Sequence, residues 1–228
     1  NLNLFKEEHF MSDSVSKTQY LQTILELSGG DESTKISNNQ IADHLHVTPS
    51  SVSNMLTKLQ ETGEVNVVPY YGVTLTKTGR ETAIRLIRSH RLFETFIAED
   101  LDLPVSVAHD NADHLDHDAT GQLMDALDSF LKHPKYSPQG LPIPDAEYHY
   151  SPEKLTSLYD AKDGETITIH AFTEDLELLR YVETIGLPLN STWTIKERLP
   201  FDGPLILNND ERELQITRHA AEFIYIEQ

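Results

Sequence analysis

Val47-Thr48-Pro49-Ser50-Ser51-Val52-Ser53-Asn54-Met55-Leu56-Thr57-Lys58-Leu59 decides what this chain folds into. Thr48 suits an N-cap, and Pro49 suits the first helical position, where its fixed φ helps and its missing N–H is harmless. Apolar residues then recur at Val52, Met55, Leu56 and Leu59, the spacing of one helix face. Ser50, Ser51, Ser53, Asn54, Thr57 and Lys58 are left to point outward. The helix is expected to run to about Thr62 and to stop at Gly63. A merely solvated face usually carries Glu and Lys, the better helix formers, whereas Ser, Thr and Asn suit base edges and phosphates.

Working outward, Val15 to Ser28 reads as an amphipathic helix (Tyr20, Leu21, Ile24, Leu25, Leu27) stopped by Gly29-Gly30. After a turn over Asp31 to Lys35, Ile36-Ser37 introduces a short helix from Asn38 to His46. Beyond the central helix, Val65–Val68, the turn Pro69-Tyr70-Tyr71-Gly72 and Val73–Thr76 read as strand, turn, strand. Helix, short helix, proline-initiated helix and hairpin, in that order, describe a winged helix-turn-helix. The blander alternative is a helical subdomain that only packs. In the DNA-reading version Thr48, Ser50, Ser51 and Asn54 approach bases or phosphates, while Lys58, Lys77 and the Tyr70–Tyr71 wing contact the backbone of double-stranded operator DNA.

A long helix is expected from Gly79 through Ile97. Leu103-Pro104 then breaks the chain before two more helices, Val105 to about His117 and Thr120 to His133, the second with a spacing suited to a core or a dimer seam. Pro134, Pro138, Pro142 and Pro144 mark a linker. From Ser151 short strands dominate: Thr166–His170, Thr192–Lys196, Pro204–Leu207, Leu214–Ile216 and Phe223–Ile226, with one helix from Asp175 to Thr184 ended by Gly186. The expected fold class is mainly α with a β-rich, barrel-like C-terminal domain. The expected boundaries are an extension over 1–14, a DNA-binding domain over 15–80, a helical domain over 81–144 and the β-rich domain over 150–228.

Net charge is −19 over 228 residues, which by itself argues against nucleic acid. Its distribution reverses the argument. Residues 33–80 balance Lys35, Lys58, Lys77 and Arg80 against Asp43, Glu61 and Glu64, whereas 101–133 set seven aspartates against Lys132. The absence of cysteine excludes disulfides and thiolate metal sites. No apolar run reaches the roughly 18 residues of a membrane span. Residues 1–10 lack the features of a signal peptide, and Met11 reads as a plausible native start, so a cytoplasmic location is expected.

The acidity of 101–133 peaks in His109-Asp110-Asn111-Ala112-Asp113-His114-Leu115-Asp116-His117-Asp118. If helical, His109, Asp113, Asp116 and His117 share one face. His90 and Glu94 form a second i, i+4 pair on the preceding helix. The competing interpretation is an acidic solvated face. Against it, aspartate is a poor helix former, and so many in one short stretch repel each other without a cation. Carboxylates and imidazoles without sulfur suit Mn²⁺, with Fe²⁺, Co²⁺ or Zn²⁺ as further choices. Two rival functions remain: a metallohydrolase using the His/Asp cluster to activate water, and a metal-independent winged-helix regulator.

The residues also carry a family likeness. Tyr20-Leu21-x-x-Ile24, Ile41-Ala42, Val47-x-Pro49-x-Ser51-Val52, Gly72-Val73-x-Leu75-Thr76-x-x-Gly79, His90-Arg91-Leu92-x-Glu94, Asp113-x-x-Asp116-His117 and Pro134-Lys135-x-x-Pro138-x-Gly140-x-Pro142-Ile143-Pro144 occur in order. This set resembles the diphtheria-toxin-repressor family of metal-dependent transcriptional regulators, in its three-domain manganese-responsive branch. The resemblance implies a homodimeric, Mn²⁺-activated repressor of metal-uptake genes, without enzymatic activity or a small-molecule substrate, whose C-terminal domain is SH3-like. An Fe²⁺-dependent regulator of the same family is the alternative. It implies one metal site at Asp113, Asp116 and His117, with Gln19 and Gln22 at the first-helix positions where relatives carry ligands. A neighbouring site is implied at His90, Glu94 and His109, with Glu177 as a loosely aligned addition. Aspartates stand where the family has longer carboxylates, and Ser137 and Gln139 stand where some relatives place Cys and His.

Overall fold

The computed structural model describes residues 17–45, 47–116, 118–150 and 155–227. The expected N-terminal extension and His117 lie outside them. The described residues divide into two compact units, each discontinuous in sequence: those within 17–90, 113–130 and 143–150 form one, and those within 91–112, 131–142 and 155–227 the other.

The first unit holds helix α1 (residues 17–27), α2 (Asn38–His44), α3 (Pro49–Glu61), strands β1 (Val65–Val68) and β2 (Gly72–Leu75), and most of α4 (Lys77–Thr95). Ser37 caps α2 in a reciprocal box with Gln40. Thr48 caps α3 by accepting from the Ser51 N–H at 3.2 Å. Val52, Met55, Leu56 and Leu59 are buried, as their spacing requires, against Leu21, Ile24 and Ile41. Thr48→Ala is expected to lower the stability of this helix by about 1 kcal/mol, read as a fall in the thermal midpoint.

β1 and β2 pair antiparallel from Val65↔Leu75 to Val68↔Gly72, and Ile36 adds a bridge to Val73 on the far side. α4 starts two residues before Gly79, where the sequence suggested its beginning. Thr76 supplies the cap, accepting from the Gly79 N–H at 3.1 Å. Gly79 instead permits close approach, since a Cβ there would overlap the Glu64 carbonyl oxygen. Farther along, α6 (Gly121–Phe130) is capped by Thr120, whose hydroxyl accepts from the Leu123 N–H at 3.3 Å. Arg88 of α4, buried, holds α6 through Asp128 at 3.1 Å and Asp125 at 3.2 Å. Two of the aspartates in the acidic tract therefore serve an arginine rather than a metal.

The second unit carries the last turn of α4, a π-helical turn Phe96–Asp100, and most of α5 (Val105–Leu115). Its β-rich part is one antiparallel sheet of β3 (Thr156–Ser157), β4 (Thr166–Phe172), β5 (Thr192–Arg198), β6 (Leu205–Asn208), β7 (Glu213–Ile216) and β8 (Ile224–Glu227), in the order β3-β8-β4-β5-β6-β7. Bulges interrupt the register at Ile169/Ala171 and Ile195/Glu197, the device that bends such sheets. Trp193, Ile169, Ile195 and Leu207 fill the core beneath α7 (Leu176–Ile185), which Asp175 caps and a left-handed Gly186 ends. A short helix, α8 (Arg218–Glu222), lies between β7 and β8.

The proline-rich stretch is not the open linker that its composition suggested. Tyr136 bridges to Pro142, and the Ser137 N–H donates to the Leu141 carbonyl at 2.8 Å, closing a turn. The Gln139 carbonyl accepts from the Phe172 N–H at 2.9 Å, which ties the turn to β4. Gly140 makes this packing feasible, because a Cβ there would overlap the His170 carbonyl.

Candidate metal centre and nucleic-acid interface

Two groups of metal-type ligands are built on α4, one around His90 and one around Glu94. The first belongs to the first unit. His90 Nδ1, buried, lies 3.1 Å from Asp116 Oδ2 and 3.4 Å from Asp113 Oδ1. Asp116 is 3% exposed. α5 ends at Leu115, so Asp116 does not share the helical face that the spacing suggested. It arrives from the turn beyond the helix, which frees it to approach His90. Two carboxylates beside one buried imidazole are a donor set of the kind that a divalent cation takes.

The second group belongs to the second unit. Glu94, 0% exposed, receives His109 Nδ1 at 2.8 Å and the Gln139 amide nitrogen at 2.5 Å on the same oxygen. Gln139 is also 0% exposed, and its side-chain oxygen has no hydrogen-bond partner among the described residues. Glu174 brings a carboxylate oxygen within 4.8 Å of one from Glu94. Arg91, from the same helix, grips Glu174 with Nε at 2.6 Å and Nη2 at 3.1 Å, and donates to the Pro142 carbonyl at 2.6 Å.

Other expected ligands are not brought to either group. Glu177 is 86% exposed and pairs with Arg180 at 3.3 Å. Gln19 is exposed on α1 and Gln22 half-buried, and no hydrogen bond among the described residues ties them to the acidic groups. Glu174 is not among the ligands that the sequence suggests, and Gln139 figures there only at a position where some relatives place a ligand. A cap-forming Asp175 just after Glu174 was the available signal that this carboxylate stands at a fixed helix entry.

The reading face is built in the first unit. Thr48 Oγ1 lies 2.8 Å from Ser50 Oγ and 2.9 Å from Ser51 Oγ, so these three hydroxyls form one cluster at the start of α3. Ser53 and Thr57 bond back to helix carbonyls at 3.0 and 2.9 Å, leaving Asn54 and Lys58 to reach outward from the exposed face. Tyr70 and Tyr71 stand out at 105% and 71% exposure. Lys77 is exposed and lies 3.9 Å from Glu81. On α6, Leu123 and Phe130 are exposed while Met124 is buried, so the helix has one apolar face inward and apolar residues outward as well. Among the described residues no helix is long and apolar enough to cross a membrane.

Comparison with known proteins gives three matches in series. Residues 14–73 match the iron dependent repressor N-terminal DNA binding domain, 76–145 the iron dependent repressor metal binding and dimerisation domain, and 156–228 the FeoA domain. An uncharacterised HTH-type transcriptional regulator of Methanocaldococcus jannaschii is 33% identical over 122 residues, covering 54% of this chain and 95% of that protein. Among solved structures, the manganese regulator SloR is 32% identical with a TM-score of 0.76, covering 93% of this chain and 98% of that one. A manganese-dependent transcriptional repressor in complex with manganese is 30% identical with a TM-score of 0.75, covering 92% and 98%.

Proposed function

We propose a specific trigger for this chain, which belongs to the iron-dependent repressor family of metal-dependent transcriptional regulators: it is a cytoplasmic repressor of metal-uptake genes that binds operator DNA as a homodimer when loaded with Mn²⁺. The observation that carries this reading is buried His90 flanked by buried Asp116 and half-buried Asp113. The donor set fits a divalent ion of hard or borderline character, since it offers carboxylate oxygen, imidazole nitrogen and no sulfur. The orphaned Gln139 oxygen beside Glu94 and His109 adds a hard, neutral donor to the second group.

In this reading His90, Asp113 and Asp116 hold one ion, for which the sequence offers His117 as a further ligand, and Glu94, His109 and Gln139 hold another. A bound cation supplies the positive charge that lets these carboxylates sit together. Without it the carboxylates of Asp113 and Asp116 repel each other, and the turn that carries Asp116 is held less firmly at His90. Gln19 and Gln22 would extend the tie to α1 through their amide oxygens, and Glu177 would require a turn of α7 to contribute. Residues 15–80 then form the reading head, 81–144 the metal and dimerisation segment and 150–228 the SH3-like domain. Holding the two α3 helices of a dimer about one DNA turn apart is what would convert ion binding into operator affinity. Thr48, Ser50, Ser51 and Asn54 approach bases or phosphates, with Lys58, Lys77, Tyr70 and Tyr71 on the backbone.

A gel-shift titration of the full chain against a duplex selected from a random library tests this. Mn²⁺ is expected to promote binding at lower concentration than Fe²⁺, Co²⁺ or Zn²⁺, and a chelator to abolish it. Binding that a chelator leaves unchanged would overturn the trigger. Preference for anaerobic Fe²⁺ would transfer it to iron.

A further inference from the structure

We propose that Lys35, seated on Tyr71, and the wing-tip Tyr70 form a clamp for the sugar–phosphate backbone of the operator, in the groove between the wing and the start of α2. The inference rests on the DNA-binding reading above, which already holds Tyr70 and Tyr71, and adds Lys35 and the α2 wall of the groove. Lys35 lies in what the sequence presents as a turn, far from the wing in the chain. The fold brings it there through Ile36, whose N–H donates to the Val73 carbonyl and whose carbonyl accepts from the Val73 N–H, both at 2.9 Å. This single-residue bridge fastens the segment before α2 to the wing, and the Lys35 ammonium stands 5.2 Å from the Tyr71 ring centroid. That placement orients a long, flexible side chain at low cost in charge, because an aromatic face attracts the cation without neutralising it.

The neighbouring cations differ in this respect. Lys17, Lys77 and Arg80 each face a carboxylate, Glu64 at 2.7 Å, Glu81 at 3.9 Å and Glu32 at 3.9 Å. Lys35 meets a ring instead and keeps its full positive field. In a reading head whose charges nearly cancel, a cation not set against a carboxylate, as at Lys35 and Lys58, draws a phosphate.

The groove supplies the rest. Ser37, Asn38 and Asn39 line one wall, and Pro69, Tyr70 and Tyr71 the other, around about 370 Å³. Hydroxyl and amide groups on one side suit phosphate oxygens, and aromatic faces on the other suit deoxyribose. Asn38 also donates to Ser53 Oγ of α3 at 2.9 Å, so the groove continues into the outer face of the reading helix. Tyr70 is held at φ 68°, a left-handed conformation unfavourable for an aromatic residue, which thrusts its ring fully into solvent at the groove's lip.

The test is the salt dependence of binding by the full Mn²⁺-loaded chain to the selected duplex. Removing one cation–phosphate pairing should make the slope of log affinity against log salt shallower by about 0.9. Lys35→Gln is expected to produce that change. Tyr71→Leu should reproduce it by unseating the lysine, and Tyr71→Phe should not. The double variant Lys35→Gln/Tyr71→Leu should add little to either single change, and Mn²⁺ titration should report an unaltered midpoint in all of them. A parental slope retained by Lys35→Gln overturns the clamp while leaving the DNA-binding reading standing. A parent chain that captures no duplex with Mn²⁺ overturns that reading and the clamp with it.

Discussion

Asp116→Ala is expected to raise the Mn²⁺ concentration needed for DNA binding about a hundredfold or more, equivalent to ~2.7 kcal/mol. Asp116 is 3% exposed and faces His90 Nδ1 at 3.1 Å, so its loss removes a charge that the ion would neutralise and one of the two carboxylates placed at this imidazole. Asp116→Asn keeps the shape and removes the charge, and it should fall between parent and alanine variant. Asp125→Ala serves as the control. Asp125 is an equally acidic neighbour in sequence, but it is exposed and pairs with Arg88, so the metal response should persist. Calorimetric Mn²⁺ titration and a gel shift read both quantities. An unchanged midpoint in Asp116→Ala would remove this residue from the sensor.

The largest structural loss is expected from Arg91→Ala, about 3–5 kcal/mol of stability in the second unit. Arg91 is 1% exposed and satisfies both oxygens of Glu174 together with the Pro142 carbonyl. Truncation strands a carboxylate that has little water to turn to. The destabilisation therefore measures an uncompensated charge rather than the net worth of the pair. Arg91→Met with Glu174→Gln should recover much of the loss, since both charges are then gone and the volume is largely kept. Denaturant midpoints with unchanged slope would check this. A loss below about 1 kcal/mol would be the value of an exposed pair and would contradict the burial.

Much of the fold could be read from local patterns. Thr48 and Pro49 start α3, the Val52–Leu59 spacing sets its buried face, and Asp175 and Gly186 bracket α7, because caps and periodicity act within a few residues. Helical spacing is an incomplete reason for Asp116 to be a candidate ligand. Its spacing fits a helix, yet the chain leaves the helix at Leu115, and helix ends are decided by competition between local and tertiary contacts. The Pro134–Pro144 stretch misled in the same way. Prolines mark interrupted secondary structure, but they do not say whether the interrupted chain is solvated or packed.

From the sequence alone came the winged helix, the absence of sulfur ligands and the list of acidic and imidazole candidates, since composition, capping and periodicity are properties of neighbouring residues. The tertiary structure sorted that list. It sent Asp125 and Asp128 to Arg88, gathered Asp113 and Asp116 on His90, placed Gln139 and His109 on Glu94, and carried Lys35 to the wing. Each of these pairings joins residues distant along the chain. The physical reason is that identical charges differ only in what the fold buries beside them.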